Sequence, residues 1–315
     1  MRLLSIFAFL IVAPLTTQAI TWVPGAWHKN QTKDGLEYWL YVPKSLAKKP
    51  TNGLVLQLHG CFSKAEAYKD GSNWPLAAET YRMVVAIPQS PRGSAIPGCW
   101  DAVSSKYETS RHTQFLAALI RELINERSLR IDPKAVFAAG LSAGATQSVL
   151  LACKHPDLIA GFGAVAGSML GSKPGEVYKP KTTASDVARN CLRLAGDKAS
   201  WLRTQKASIF VSDIDWVVNP VHSERTYAAF KTIYDVKDER QLDLSLLPGR
   251  RKDGSGIEVT DSKNRVRISY IIQEDLGHAW PTGAETSVDA DDSHFNGDTI
   301  NYPLYLGQFF SRRIR

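Results

Sequence analysis

Short apolar runs alternate with segments of helical periodicity along most of this 315-residue chain, and that alternation restricts the fold more than any other feature. Leu36 to Val42 stops at Pro43, Gly53 to Leu58 at His59-Gly60, Met83 to Ile87 at Pro88, and Ala135 to Ala139 at Gly140. Ile159–Val165, Ala207–Val211 and Val266–Ile272 repeat the pattern further on. Runs that are apolar on both faces read as buried strands of a mostly parallel sheet. Between them, His112 to Arg127 places Phe115, Leu116, Leu119, Ile120 and Leu123 on one helical face. Ala143–Cys153, closed by His155-Pro156, and Ser223–Tyr234 are further helices. Strand–helix alternation of this kind predicts an α/β fold: a doubly wound, mostly parallel sheet with helices on both faces. In such sheets the site lies at the carboxyl ends of the strands.

Composition narrows the class. With 44% hydrophobic and 22% charged residues the chain is neither a disordered tail, a coiled coil nor a fibre. Its net charge of +7 is spread out, and Arg250-Arg251-Lys252 and Arg312-Arg313-Ile314-Arg315 are expected to be a solvated loop and a chain end. No nucleic-acid partner and no obligate protein partner is inferred. The start resembles a secretory signal: a charged Met1-Arg2, an apolar stretch from Leu3 to Leu15, and small residues around Thr17-Gln18-Ala19. Residues 1–19 are therefore expected to be a cleaved signal peptide, and residues 20–315 one catalytic domain without a membrane span, secreted or periplasmic. The four cysteines suit disulfides in an oxidising compartment. No Cys-x-x-Cys and no helically spaced His pair occurs, so neither a metal nor another cofactor is expected.

Gly140-Leu141-Ser142-Ala143-Gly144 is a Gly-x-Ser-x-Gly motif. The pattern alone is a common accident, and its position gives it weight. It follows a strand run and opens a helix, the setting in which a strained turn lifts a serine hydroxyl above the sheet. A nucleophilic serine needs a base, and the base an orienting carboxylate, in the chain order Ser, acid, His. Asp197, Asp213 and Asp215 are candidate acids, the last two directly after Ser208–Val211. Of the candidate bases, His278 follows the last strand run by a short loop. His155 and His222 are expected to be capping or surface residues, and His294, in an Asp-rich loop, to be solvated. The Ala143 amide and the Cys61 amide, in the loop His59-Gly60-Cys61, are the candidate oxyanion donors, with His59 shaping that loop.

Five motifs appear in order: Leu58-His59-Gly60-Cys61, Gly98-Cys99-Trp100-Asp101, Gly140-Leu141-Ser142-Ala143-Gly144, Asp215-Trp216-Val217-Val218-Asn219-Pro220 and Gly277-His278-Ala279-Trp280. Together they resemble the polyhydroxybutyrate depolymerase-like esterases, relatives of feruloyl and acetylxylan esterases in the α/β-hydrolase fold. The resemblance runs from about Leu36 to about Phe310. It implies Ser142 as nucleophile, Asp215 rather than Asp213 as acid, and His278 as base. It also implies a Cys61–Cys99 disulfide, which leaves Cys153 and Cys191 as a second pair. Two departures, Ser212-Asp213-Ile214 before the acid and Ala145 after the serine motif, keep all three groups and fall where they shape the cleft.

Trp100, Trp216 and Trp280 adjoin motifs and are expected either to line the site as an apolar platform or to pack beneath it. The leading expectation is a secreted serine esterase acting on polyhydroxyalkanoates or hydroxybutyrate oligomers. The second is a feruloyl or acetylxylan esterase, with a peptidase on the same triad behind it. From a different class comes a catalytically silent binding module, against which the retained Ser, Asp and His argue. No polymer-binding domain is expected after the catalytic one, which favours oligomers over crystalline polymer.

Overall fold

In a computed structural model, which describes residues 22–94, 96–104, 106–284 and 294–312, ten strands form one sheet. They are β1 (Ala26–Gln31), β2 (Glu37–Val42), β3 (Gly53–Leu58), β4 (Met83–Pro88), β5 (Val136–Leu141), β6 (Gly161–Val165), β7 (Lys206–Ser212), β8 (Asp238–Gln241), β9 (Gly254–Thr260) and β10 (Val266–Gln273). The order across the sheet is β1-β2-β4-β3-β5-β6-β7-β10-β9-β8. The central strands from β4 to β10 are parallel, and an antiparallel pair of strands is added at each edge. The expected signal segment lies outside the described residues.

Alternation within the strands explains why both faces are covered. Leu54, Leu56, Val84, Ala86, Val136 and Ala138 enter one core, while Val55, Val85, Ile87, Phe137 and Ala139 enter the other. Among the described residues seven helices cover these faces: α1 (Ala65–Gly71), α2 (Trp74–Tyr81), α3 (Arg111–Asn125), α4 (Ala143–Lys154), α5 (Ala184–Ala195), α6 (Val221–Tyr234) and α7 (Tyr302–Ser311). Helices α3 to α6 pack on the first face, and α2 and α7 on the second. Every strand run expected from the sequence is present within a few residues. Strands β1 and β8 carried no apolar signal because they are edges. β8 is Asp-Glu-Arg-Gln with all four residues exposed, a charged border that discourages pairing with another chain.

The sheet buries one histidine with a consequence for stability. His59, at the end of β3, is fully buried; Nε2 accepts from the Ser90 amide at 3.0 Å, so the proton sits on Nδ1, which donates to the Gly60 carbonyl at 2.7 Å. Burial pushes this imidazole down to about 4. Above pH ~6.5 the imidazole is neutral in folded and unfolded chains alike. Below it the unfolded chain takes up a proton that the folded site refuses, and stability falls until about pH 4. His59 alone is expected to lower the unfolding free energy by about 3 kcal/mol between pH 7 and pH 4. His155, also held down to about 4 by burial, acts in the same window. Urea titrations across this range check the result, and a stability independent of pH there contradicts it.

Candidate active site

Four of the expected residues arrive at the carboxyl edge of the sheet because each follows a parallel strand or one short loop: Cys61 after β3, Ser142 after β5, Asp215 after β7 and His278 after β10. Ser142 adopts φ 57° and ψ −121°, a conformation that costs an L-residue on the order of 1–3 kcal/mol. Its amide donates to the Val165 carbonyl at 2.9 Å, and its carbonyl accepts from Thr146 at 3.1 Å, which fixes the turn at both ends. The flanking glycines are required by contact. A Cβ on Gly140 would lie 2.4 Å from the Gly144 carbonyl carbon, and one on Gly144 2.3 Å from the Leu58 oxygen. The strand, turn and helix pack so closely that only glycine fits.

His278 and Asp215 meet directly. His278 Nδ1 and Asp215 Oδ2 lie 2.8 Å apart, with the Asp215 side chain fully buried and His278 about nine-tenths buried. Asp215 Oδ1 accepts from the amides of Val217 and Val218 at 2.9 and 2.8 Å, so the carboxylate cannot rotate away from the ring. Asp213 is exposed instead, and its Oδ1 accepts the Asp275 amide at 2.9 Å in the turn after β10. Geometry therefore separates the two aspartates that the residues alone left open.

The loop after β3 is held on every side. Trp100 Nε1 donates to the His59 carbonyl at 2.9 Å, the Gly60 amide donates to the Tyr68 hydroxyl at 3.3 Å, and a Cys61–Cys99 disulfide ties the loop to the segment before α3. Asp101 completes that segment by accepting the Arg111 and His112 amides at the start of α3, at 2.9 and 3.2 Å. A second disulfide joins Cys153 of α4 to Cys191 of α5. Phe62, the residue after Cys61, has φ 63° and is exposed.

The sequence profile of the family described as esterase PHB depolymerase matches residues 36–223, more than half of the chain. The chain belongs to that family. Members of it are carboxylic ester hydrolases, and similar proteins agree. The poly(3-hydroxybutyrate) depolymerase of Ralstonia pickettii is 31% identical over 96% of this chain, which spans 64% of that enzyme's length. The poly(3-hydroxyalkanoate) depolymerase C of Paucimonas lemoignei is 25% identical over 97% of this chain and 74% of its own. The acetylxylan esterase A of Emericella nidulans is 31% identical over 45% of each. An acetyl xylan esterase from Aspergillus awamori superposes with a TM-score of 0.67 over 91% of this chain and all of its own, at 17% identity, which speaks for the shared α/β-hydrolase fold alone.

Two of the three tryptophans at the family motifs do not line the site. Trp100 and Trp280 are buried: Trp100 beneath the His59 loop, Trp280 among Tyr68, Trp74 and Tyr302 with its indole N–H on the Ser72 carbonyl. Both satisfy backbone carbonyls, the usual use of a buried indole, and neither offers a face to a ligand. Trp216 is 73% exposed beside Gly277 and remains available.

Two histidines also differ from expectation. His222 is fully buried, accepting the Met169 amide at 3.1 Å and donating to the Glu176 carbonyl at 2.9 Å, because it pins the crossover before α5. His294 is half-buried against the Gly60 loop rather than solvated, since a short parallel bridge between β11 (Trp280–Pro281) and β12 (Phe295–Asn296) draws it inward. Nothing in its own sequence context signals this placement.

Proposed function

We propose that this chain is an exported serine esterase in which Ser142 attacks an ester carbonyl, His278 moves the proton, Asp215 orients His278, and the Cys61 and Ala143 amides receive the oxyanion. The observations that carry the reading are the His278–Asp215 bond and a serine held at φ 57° between β5 and α4, both at the carboxyl edge of the sheet. With Nδ1 committed to Asp215, Nε2 is the nitrogen left to take the serine proton. The Cys61 amide has no acceptor among the described residues, and Ala143, at the first position of α4, lies where helix amides have no partner within the helix. Water then releases the acid by the reverse proton path.

The favoured substrates are polyhydroxyalkanoates or hydroxybutyrate oligomers. The likeness of nearly all of this chain to about two thirds to three quarters of two depolymerases supports this. So do the exposed Phe62, Ile214 and Trp216, which follow or flank the proposed donor and acid. Export agrees with two disulfides and with the apolar leader. A turnover panel tests the substrate class: hydroxybutyrate trimer, polymer film, methyl ferulate and acetylated xylan. Fastest kcat/KM on the trimer or film is expected; fastest turnover of acetylated xylan or ferulate overturns the polyester reading.

The Cys61–Cys99 bridge has two expected effects. Closing a loop whose ends are 38 residues apart stabilises the fold by about 3–4 kcal/mol in the chain-entropy picture. The same bridge fixes the proposed donor at Cys61, and losing one oxyanion donor costs on the order of 10²–10³ in rate. Cys99→Ser is thus expected to lower both Tm and kcat, with kinetics taken well below the variant's Tm. An unchanged kcat in folded Cys99→Ser makes the bridge purely structural.

A further inference from the structure

We propose that His294 is a positioning residue that ties the base-bearing segment to the oxyanion loop, an inference that rests on the reading of Ser142 as nucleophile. His294 Nε2 lies 3.2 Å from the Cys61 carbonyl oxygen; a carbonyl only accepts, so this nitrogen carries the proton and donates. The His294 carbonyl in turn accepts the Trp280 amide at 2.7 Å, two residues beyond His278. A continuous path therefore runs from the proposed base, through the Trp280 amide and the His294 side chain, to the residue whose amide is the proposed oxyanion donor.

Contact geometry places His294 in the site itself. A Cβ built on Gly60 would lie 3.7 Å from His294 Cδ2 and 3.7 Å from Ser142 Cβ, so imidazole and nucleophile approach the same small residue. Around it, four backbone groups of the loop are anchored, the His59 carbonyl by Trp100, the Gly60 amide by Tyr68, the Gly60 carbonyl by His59 and the Cys61 carbonyl by His294, while the Cys61 amide has no acceptor among the described residues. The last anchor sits next to the left-handed Phe62, where the backbone is least content to stay. Without the His294 donor the Cys61–Phe62 peptide is free to turn and to carry the neighbouring Cys61 amide off line. A displacement of about 1 Å at such a point costs up to ~10² in rate.

The test uses the full-length enzyme and three variants. His294→Phe keeps a ring without a donor, His294→Gln carries an amide N–H near the reach of Nε2, and His294→Asn is polar but too short. Steady-state kinetics on p-nitrophenyl butyrate and inhibition by phenylboronic acid, which forms a tetrahedral anion on serine, are read together. His294→Phe is expected to lose about 10- to 100-fold in kcat with KM within about two-fold, boronate affinity falling in parallel. His294→Gln is expected to recover most of both, and His294→Asn to behave as His294→Phe does, which preserves the test if the Phe variant fails to fold. Full kcat in His294→Phe or His294→Asn, or equal losses in the Gln and Asn variants, overturns the proposal. Ser142→Ala run alongside separates the two failures. Turnover surviving in Ser142→Ala sinks the nucleophile assignment, whereas an inert Ser142→Ala with a fully active His294→Asn sinks only the role of His294.

Discussion

Ser142→Ala is expected to lower kcat on a simple ester by at least about 10³, with the protein folded and KM little changed. The Ser142 hydroxyl, the proposed nucleophile, sits on a strained turn at φ 57° and ψ −121°, with glycine required by close packing on either side of it. Alanine keeps that backbone and removes only the attacking oxygen. His278→Ala should cost a similar factor, and the double variant little more than either single one, because the groups act as a unit. Near wild-type turnover in pure Ser142→Ala contradicts the mechanism outright.

Asp215→Asn is expected to lower kcat by on the order of 10⁴. Oδ1 accepts two amides, from Val217 and Val218, and an asparagine must keep its oxygen there. Its NH₂ then faces His278 Nδ1, donor toward donor, and the imidazole escapes by moving its proton to Nε2. In that tautomer the ring cannot accept the serine proton. Asp213→Asn removes only a cap on the Asp275 amide at an exposed turn and should leave kcat within a few-fold. Pre-steady-state and steady-state rates for both variants check the ranking, and the reverse order moves the acid to Asp213.

Much of the fold was legible because the central strands are buried on both faces and so cannot hide their apolar character. β3, β4, β5 and β7 each read as a run ended by glycine, proline, histidine or aspartate at the carboxyl edge. β1 and β8 were not legible, since an edge strand serves by being polar. α7 was missed for the opposite reason. It lies over the second core with Tyr302, Tyr305, Phe309 and Phe310 all buried, and a helix that is apolar nearly all round shows little periodicity.

The site divides along the same line. Ser142, Asp215 and His278 stand directly after strands or one short loop, so chain position announces them. Trp100 and Trp280 stand beside the same motifs, yet their indoles turn inward to backbone carbonyls, a choice that depends on neighbours distant in sequence. His294 reaches Cys61 across 233 residues through a two-residue bridge, and no local pattern encodes such a contact.

The central claim is that Ser142 is the activated nucleophile, and covalent labelling tests it most directly. Purified enzyme treated with a fluorophosphonate, digested and mapped by mass spectrometry is expected to carry one adduct, on Ser142. Loss of esterase activity should track labelling one to one, with no adduct formed in Ser142→Ala or when His278 is replaced. Complete inactivation with the adduct on another residue, or full activity after Ser142 is quantitatively labelled, contradicts the account.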